Sequence, residues 1–70
     1  MKEIAIALSF WLGAFGPALA IGLIGFSAMA AIGRNPSSAW EVKSTMILAI
    51  AFSEALGIFA FVIAMILKFL

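Results

Sequence analysis

The sequence predicts an all-α membrane protein, a hairpin of two transmembrane helices with a short polar loop, assembling side by side into a closed homo-oligomeric ring. Three observations carry that expectation. Of 70 residues, 67% are hydrophobic and only 10% charged, too little polar surface to cover a soluble globule of this size. Two long apolar stretches flank the polar run Gly33-Arg34-Asn35-Pro36-Ser37-Ser38. Small residues mark two flanks of the first stretch, a pattern that one hairpin cannot satisfy alone. Such a chain is one domain, residues 1–70.

The first helix is expected over about 4–32. No residue from Ile4 to Gly33 is charged, and those 30 positions span about 45 Å if wholly helical, more than the hydrocarbon core. Lys2, the apolar run and Pro17-Ala18-Leu19-Ala20 mimic a secretory signal with its cleavage site. The run continues well past that point, which argues for a retained span. Pro17 reads as a tolerated kink whose freed carbonyl is covered by neighbours.

A polar loop follows over 33–44, with helical ends allowed. Gly33 fits a helix terminus, Arg34 favours C-terminal carbonyls, and Asn35-Pro36 with two serines signals a turn. Trp40 suits the membrane–water interface, and Ser44 or Thr45 could cap the second helix over 45–68, while Pro36 and Ser37 leave an earlier start open. Lys68 can snorkel at the far end. Arg34 and Lys43 in the loop balance Lys2 and Lys68 near the termini, so charge counting does not orient the hairpin.

Composition excludes several classes of function. A formal charge of +1 provides no basic patch for nucleic acid. Without cysteine or histidine there is no disulfide, thiolate or imidazole metal site, and Met29, Met46 and Met65 read as packing or lipid-facing residues. No nucleophile–base pair is present. The chain alone is read as non-enzymatic, with no cofactor and no metal.

One residue breaks the pattern. Met46 to Leu67 is a run of 22 residues in which Glu54 is the only charged one, close to the middle. A carboxyl at that depth is expensive and is by default functional, on an ion path, although a protonated carboxyl can also serve as interhelical glue. Desolvation penalises its charged form, so it is neutral where lipid surrounds it and ionises only where water or a cation reaches it. That makes it a plausible carrier of a single proton.

Helical stepping sorts the small residues. On the first helix, Ala14, Ala18, Gly22, Gly25 and Ala28 form one flank, and Gly13, Gly16, Ala20, Ser27 and Ala31 a second, with Leu12, Phe15, Leu19, Leu23 and Phe26 between them on one side. The second helix has one seam, Ala49, Ser53, Gly57, Ala60 and Ala64. Glu54 lies off it, on a bulky stripe with Ile47, Ile50, Ile58, Phe61 and Met65. Identical copies meeting flank to flank would close a ring. Ser9, Ser27 and Ser53 read as back-bonded to helical carbonyls.

Three stretches resemble the c subunit of a rotary F-type ATP synthase, the membrane proteolipid of the c-ring: Phe15-Gly16-Pro17-Ala18-Leu19-Ala20-Ile21-Gly22, Gly33-Arg34-Asn35-Pro36, and Ala51-Phe52-Ser53-Glu54-Ala55-Leu56-Gly57-Ile58-Phe59. The resemblance covers essentially the whole chain. Two departures stand out: Asn35 where the family's loop usually has glutamine, and Ala18 and Ala20 where many members carry glycines.

The resemblance implies the following expectations. Glu54 binds the proton, surrounded by Phe52, Ala55, Phe59, Ile21 and Gly22. Its neutral carboxyl donates to a nearby carbonyl, with that of Phe52 the first candidate. Gly16, Ala18, Ala20, Gly22, Gly25, Ser53 and Gly57 pack helices. Sodium-coupled members place side-chain oxygens at the positions of Ile21, Ala55 and Phe59, none of which has one here, so the implied ion is H⁺ and not Na⁺, a hard cation that needs several oxygens. Implied partners are identical copies in a ring, a stator subunit a whose arginine separates two half-channels, the central-stalk subunits gamma and epsilon at Arg34, Asn35 and Pro36, and membrane lipids. The implied location is a multi-pass protein of the bacterial inner membrane with the loop cytoplasmic. A small holin-type pore and a helper hairpin are the rival readings.

Overall fold

The computed structural model describes residues 1–70 as two helices, α1 over Lys2–Arg34 and α2 over Ala39–Phe69, joined by Asn35 and a single 3-10 turn, Pro36–Ser38. They form an antiparallel hairpin 52 Å long and 15 Å by 7 Å across. A hydrocarbon core is about 30 Å thick, so both ends of the rod reach beyond it. Both helices are long and apolar enough to cross. Only Ala28, Ala60 and Ala64 are buried, and side chains such as Phe26, Phe52 and Phe59 stand exposed. In water that surface would be an extended apolar patch, whereas in lipid it is the solvated surface.

The helices meet through small residues. On α2 the expected seam faces its partner, with Ala60 and Ala64 buried and Ala49, Ser53 and Gly57 half-buried. On α1 the facing line runs between the two flanks and takes members of both: Gly13, Pro17, Ala20, Ile24, Ala28 and Ala31, all buried or half-buried. The closest approach is at Gly13. A Cβ there would overlap the Ala60 side chain and lie 3.5 Å from the Ala60 Cα, so this is the glycine that the hairpin itself requires. Gly16, Gly22 and Gly25 have nothing within 4 Å of an added Cβ. Leu12, Phe15, Leu19, Leu23 and Phe26 cover the exposed back of α1.

The turn takes the early-start form that Pro36 and Ser37 left open. Much of the polar stretch 33–44 is helical, since α1 runs through Arg34 and α2 already begins at Ala39. No glycine has positive φ, so α1 does not end in a left-handed Gly33 cap. Proline disfavours the α conformation in the residue before it, and Asn35 is accordingly extended at φ −145°, ψ 85°. Asn35 is then the hub of the turn. Its N–H donates to the Ala31 carbonyl, its carbonyl accepts from the Ser38 N–H and hydroxyl, and its Oδ1 accepts from the Ser37 hydroxyl at 2.6 Å. Ser44 does not cap α2 but donates back to the Trp40 carbonyl within it, as Ser9 does to Ile6 in α1. No such bond forms at Ser27 or Ser53.

Candidate functional site

Glu54 has fifteen residues of α2 on either side of it, Ala39 to Ser53 and Ala55 to Phe69. The contact of Gly13 with Ala60 and the edge-to-face pair Phe10–Phe61, with centroids 6.1 Å apart, fix the antiparallel register. That register sets Pro17 and Ala18, the middle of α1, level with Glu54. The carboxyl is therefore at half-height of the whole hairpin.

It is exposed, at the mouth of a groove of about 540 Å³ between the helices. α1 contributes Phe10, Ala14, Pro17, Ala18 and Ile21, and α2 contributes Gly57, Ile58 and Phe61. The Phe10–Phe61 pair closes one end. The carboxyl leans along α2 toward Gly57, where an added Cβ would come within 3.9 Å of Oε1. Every other lining side chain is apolar, so Glu54 is the groove's one ionisable group.

No partner for it exists within the hairpin. Glu54 makes no hydrogen bond, to the Phe52 carbonyl or elsewhere, and the one ion pair of the molecule joins the Met1 amino group to Glu3 at 3.7 Å, at the far end. No cluster of residues could hold a metal ion. No residue of its own chain holds this carboxyl in place.

Of the side chains expected around it, Ile21 lines the groove, while Gly22, Phe52, Ala55 and Phe59 do not. The reason is helical geometry: one residue along the chain is 100° round the axis, so the nearest neighbours in sequence look elsewhere. Phe52 and Phe59 are exposed on other parts of α2. Among the expected packing residues, Ala20, Ser53 and Gly57 lie half-buried at the seam, Ala18 lines the groove, and Gly16, Gly22 and Gly25 have nothing of the hairpin within 4 Å of an added Cβ. Arg34, Asn35 and Pro36 sit exposed at the tip of the rod. The α1 wall of the groove, Phe10, Ala14 and Pro17, was not anticipated beside Glu54, because only the antiparallel register brings it there.

With this geometry in view, the likeness to known proteins is informative. The family of ATP synthase C subunits matches residues 4–67. The chain belongs to that family. An ATP synthase c subunit from Chloroflexus aurantiacus is 48% identical over 69 residues, covering 99% of this chain and 91% of the relative. One from Dehalococcoides mccartyi is 45% identical over 69 residues with the same coverage, and one from Thermosynechococcus vestitus is 38% identical over 66 residues, covering 94% and 80%. Membership makes this an integral membrane component of an ATP synthase complex and implies that its hairpins assemble into a ring. It also decides against the holin-type and helper readings.

Proposed function

We infer that this protein is the proton-translocating rotor subunit of the membrane sector of an F-type ATP synthase, with Glu54 as its proton carrier. The observation that carries the residue assignment is the position of the single carboxyl: half-height, open to an apolar groove, and without a partner in its own chain. An ionised side chain at the bilayer centre costs on the order of 3 kcal/mol. Glu54 therefore travels through lipid neutral and ionises only in a polar setting. Ring rotation carries it between two such settings, loading a proton at one and releasing it at the other.

A charge crossing the membrane is worth about 2.3 kcal/mol per 100 mV, so several protons are required for each ATP. The chain holds the proton and transmits rotation, and ATP chemistry belongs to other subunits. A cation on the stator subunit a would favour the ionised state where the two half-channels meet. The exposed tip at Arg34, Asn35 and Pro36 suits contact with the central-stalk subunits gamma and epsilon on the cytoplasmic side of a bacterial inner membrane. The groove's lack of side-chain oxygens other than the carboxyl favours H⁺ over Na⁺.

The test uses assembled rings. A carboxyl-directed carbodiimide should label Glu54 selectively, faster at lower pH and at a rate indifferent to sodium. Protection by sodium would overturn the ion assignment. Glu54→Gln should leave the ring assembled and abolish proton flux in the presence of subunit a, and retained flux would remove Glu54 from the mechanism.

A further inference from the structure

The first turns of α2 carry two opposite charges with one apolar residue between them. Val42 is half-buried against α1, and Glu41 and Lys43 on either side of it are exposed. Each residue steps about 100° round a helix, so the two charges stand about 100° to either side of Val42, on opposite faces of the hairpin. Glu41 accordingly lines a second groove between the helices, with Ile24, Ser27 and Thr45, and Lys43 does not. Lys43 and Glu54, eleven residues apart, lie within about 20° of each other round α2. One face of the hairpin therefore carries Lys43 and the carboxyl groove, and the other carries Glu41.

Neither charge is paired in its own hairpin. The one ion pair of the molecule is at the opposite end, between Met1 and Glu3. Residues two apart on a helix do not face each other, so Glu41 and Lys43 cannot satisfy one another. Arg34, the remaining charged residue at this end, makes no ion pair with Glu41. Glu41 is the only acidic residue between Glu3 and Glu54, and Glu54 is about 16 Å along the helix from Lys43.

A second copy supplies what each charge lacks, provided that it meets the first in one particular way. With both loops on the same side of the membrane, a two-fold contact sets like faces together, Glu41 against Glu41 or Lys43 against Lys43. A heterologous contact sets the Lys43 face of one copy against the Glu41 face of the next, with the two charges about 3 Å apart in height. Packed helices stand about 8–10 Å apart axis to axis, within reach of these two long side chains.

We propose that Glu41 of each hairpin pairs with Lys43 of the next copy, an ionic clasp at the loop end that joins hairpins heterologously and disfavours a two-fold dimer. The inference rests on the ring reading and adds to it which charges meet at each interface. One exposed pair raises the association constant of an interface by up to about fivefold. Like charges set together act in the opposite direction, so the choice between the two arrangements exceeds either effect alone.

The test uses rings assembled from heavy-isotope-labelled and unlabelled chains, treated with a water-soluble carbodiimide that joins a carboxylate and an amine in contact as an amide. Peptide mapping should find Glu41 linked to Lys43 with one arm labelled and the other not, the mark of a link between copies. Arg34→Gln should leave the yield of that link unchanged. Glu41→Lys or Lys43→Glu, each alone, should lower the yield of intact rings in native mass spectra by about fivefold or more. An equal mixture of the two variants should recover it, because alternating copies again set opposite charges together. Intact rings without the mixed link, or a mixture that assembles no better than its components, overturn the clasp and leave the ring standing. An unaltered chain that gives nothing larger than a dimer would instead overturn the ring reading.

Discussion

The turn and the mid-height groove treat their polar atoms in opposite ways. At the turn, Asn35 gathers bonds from Ser37 and Ser38, and Ser44 closes back on Trp40, so nearly every short polar side chain is satisfied locally. At half-height, the one charged side chain of the membrane-crossing part has no bond at all. Bulk water bathes the turn and is excluded from the bilayer interior, so the cost of a missing partner is greatest where the partner is missing. The arrangement follows from work as well as stability. A satisfied turn holds a shape, and an unsatisfied carboxyl suits the exchange proposed for it.

The strongest way to break this contrast is to keep the carboxyl at its depth while turning it off the groove. The double change Glu54→Ala with Ala55→Glu rotates it by about 100° around α2. Proton flux through reconstituted rings with subunit a should fall by about 100-fold or more, because a misplaced reacting group commonly costs that much. Normal flux would mean that the groove is irrelevant.

Next in size is the close approach itself. Gly13→Val forces a branched side chain against Ala60 and should destabilise the hairpin by about 1–3 kcal/mol, read as a lower melting temperature by circular dichroism in detergent. Gly16→Ala, with open space around it, should leave the melting of the isolated hairpin unchanged. Equal effects would show that the glycines are interchangeable.

The turn should respond least. Pro36→Ala releases the restraint on Asn35 and should cost about 0.5–1 kcal/mol in the same melt. Ser37→Ala removes one exposed hydrogen bond and should cost about 0.5 kcal/mol or less. A collapse of the fold on either change would make the turn, and not the seam, the organising contact.

Much of this was legible beforehand for specific reasons. Charge-free length gave both spans, and the spacing of Ala49, Ser53, Gly57, Ala60 and Ala64 gave the face of α2 that meets α1, because small residues leave a periodic trace. Glu54 stood out by chemistry alone. The matching face of α1 was ambiguous, since Gly13 and Ala28 belong to different small-residue flanks and the seam runs between them. The groove's α1 wall depends on the register of two antiparallel helices, which no local pattern encodes. Pro36 governed the turn through its effect on Asn35, and glycine, the more familiar helix terminator, drew attention to the wrong residue.

α2 is unbroken from Ala39 to Phe69, with no hinge between the carrier and the tip. From Glu54 to Ala39 is fifteen residues, about 22 Å of rigid rod. A sideways displacement imposed on the carboxyl inside the membrane therefore reaches Arg34 and Asn35 as nearly the same displacement, with little lost to bending. The stiffness that lets one hairpin stand in lipid also makes it an efficient cog.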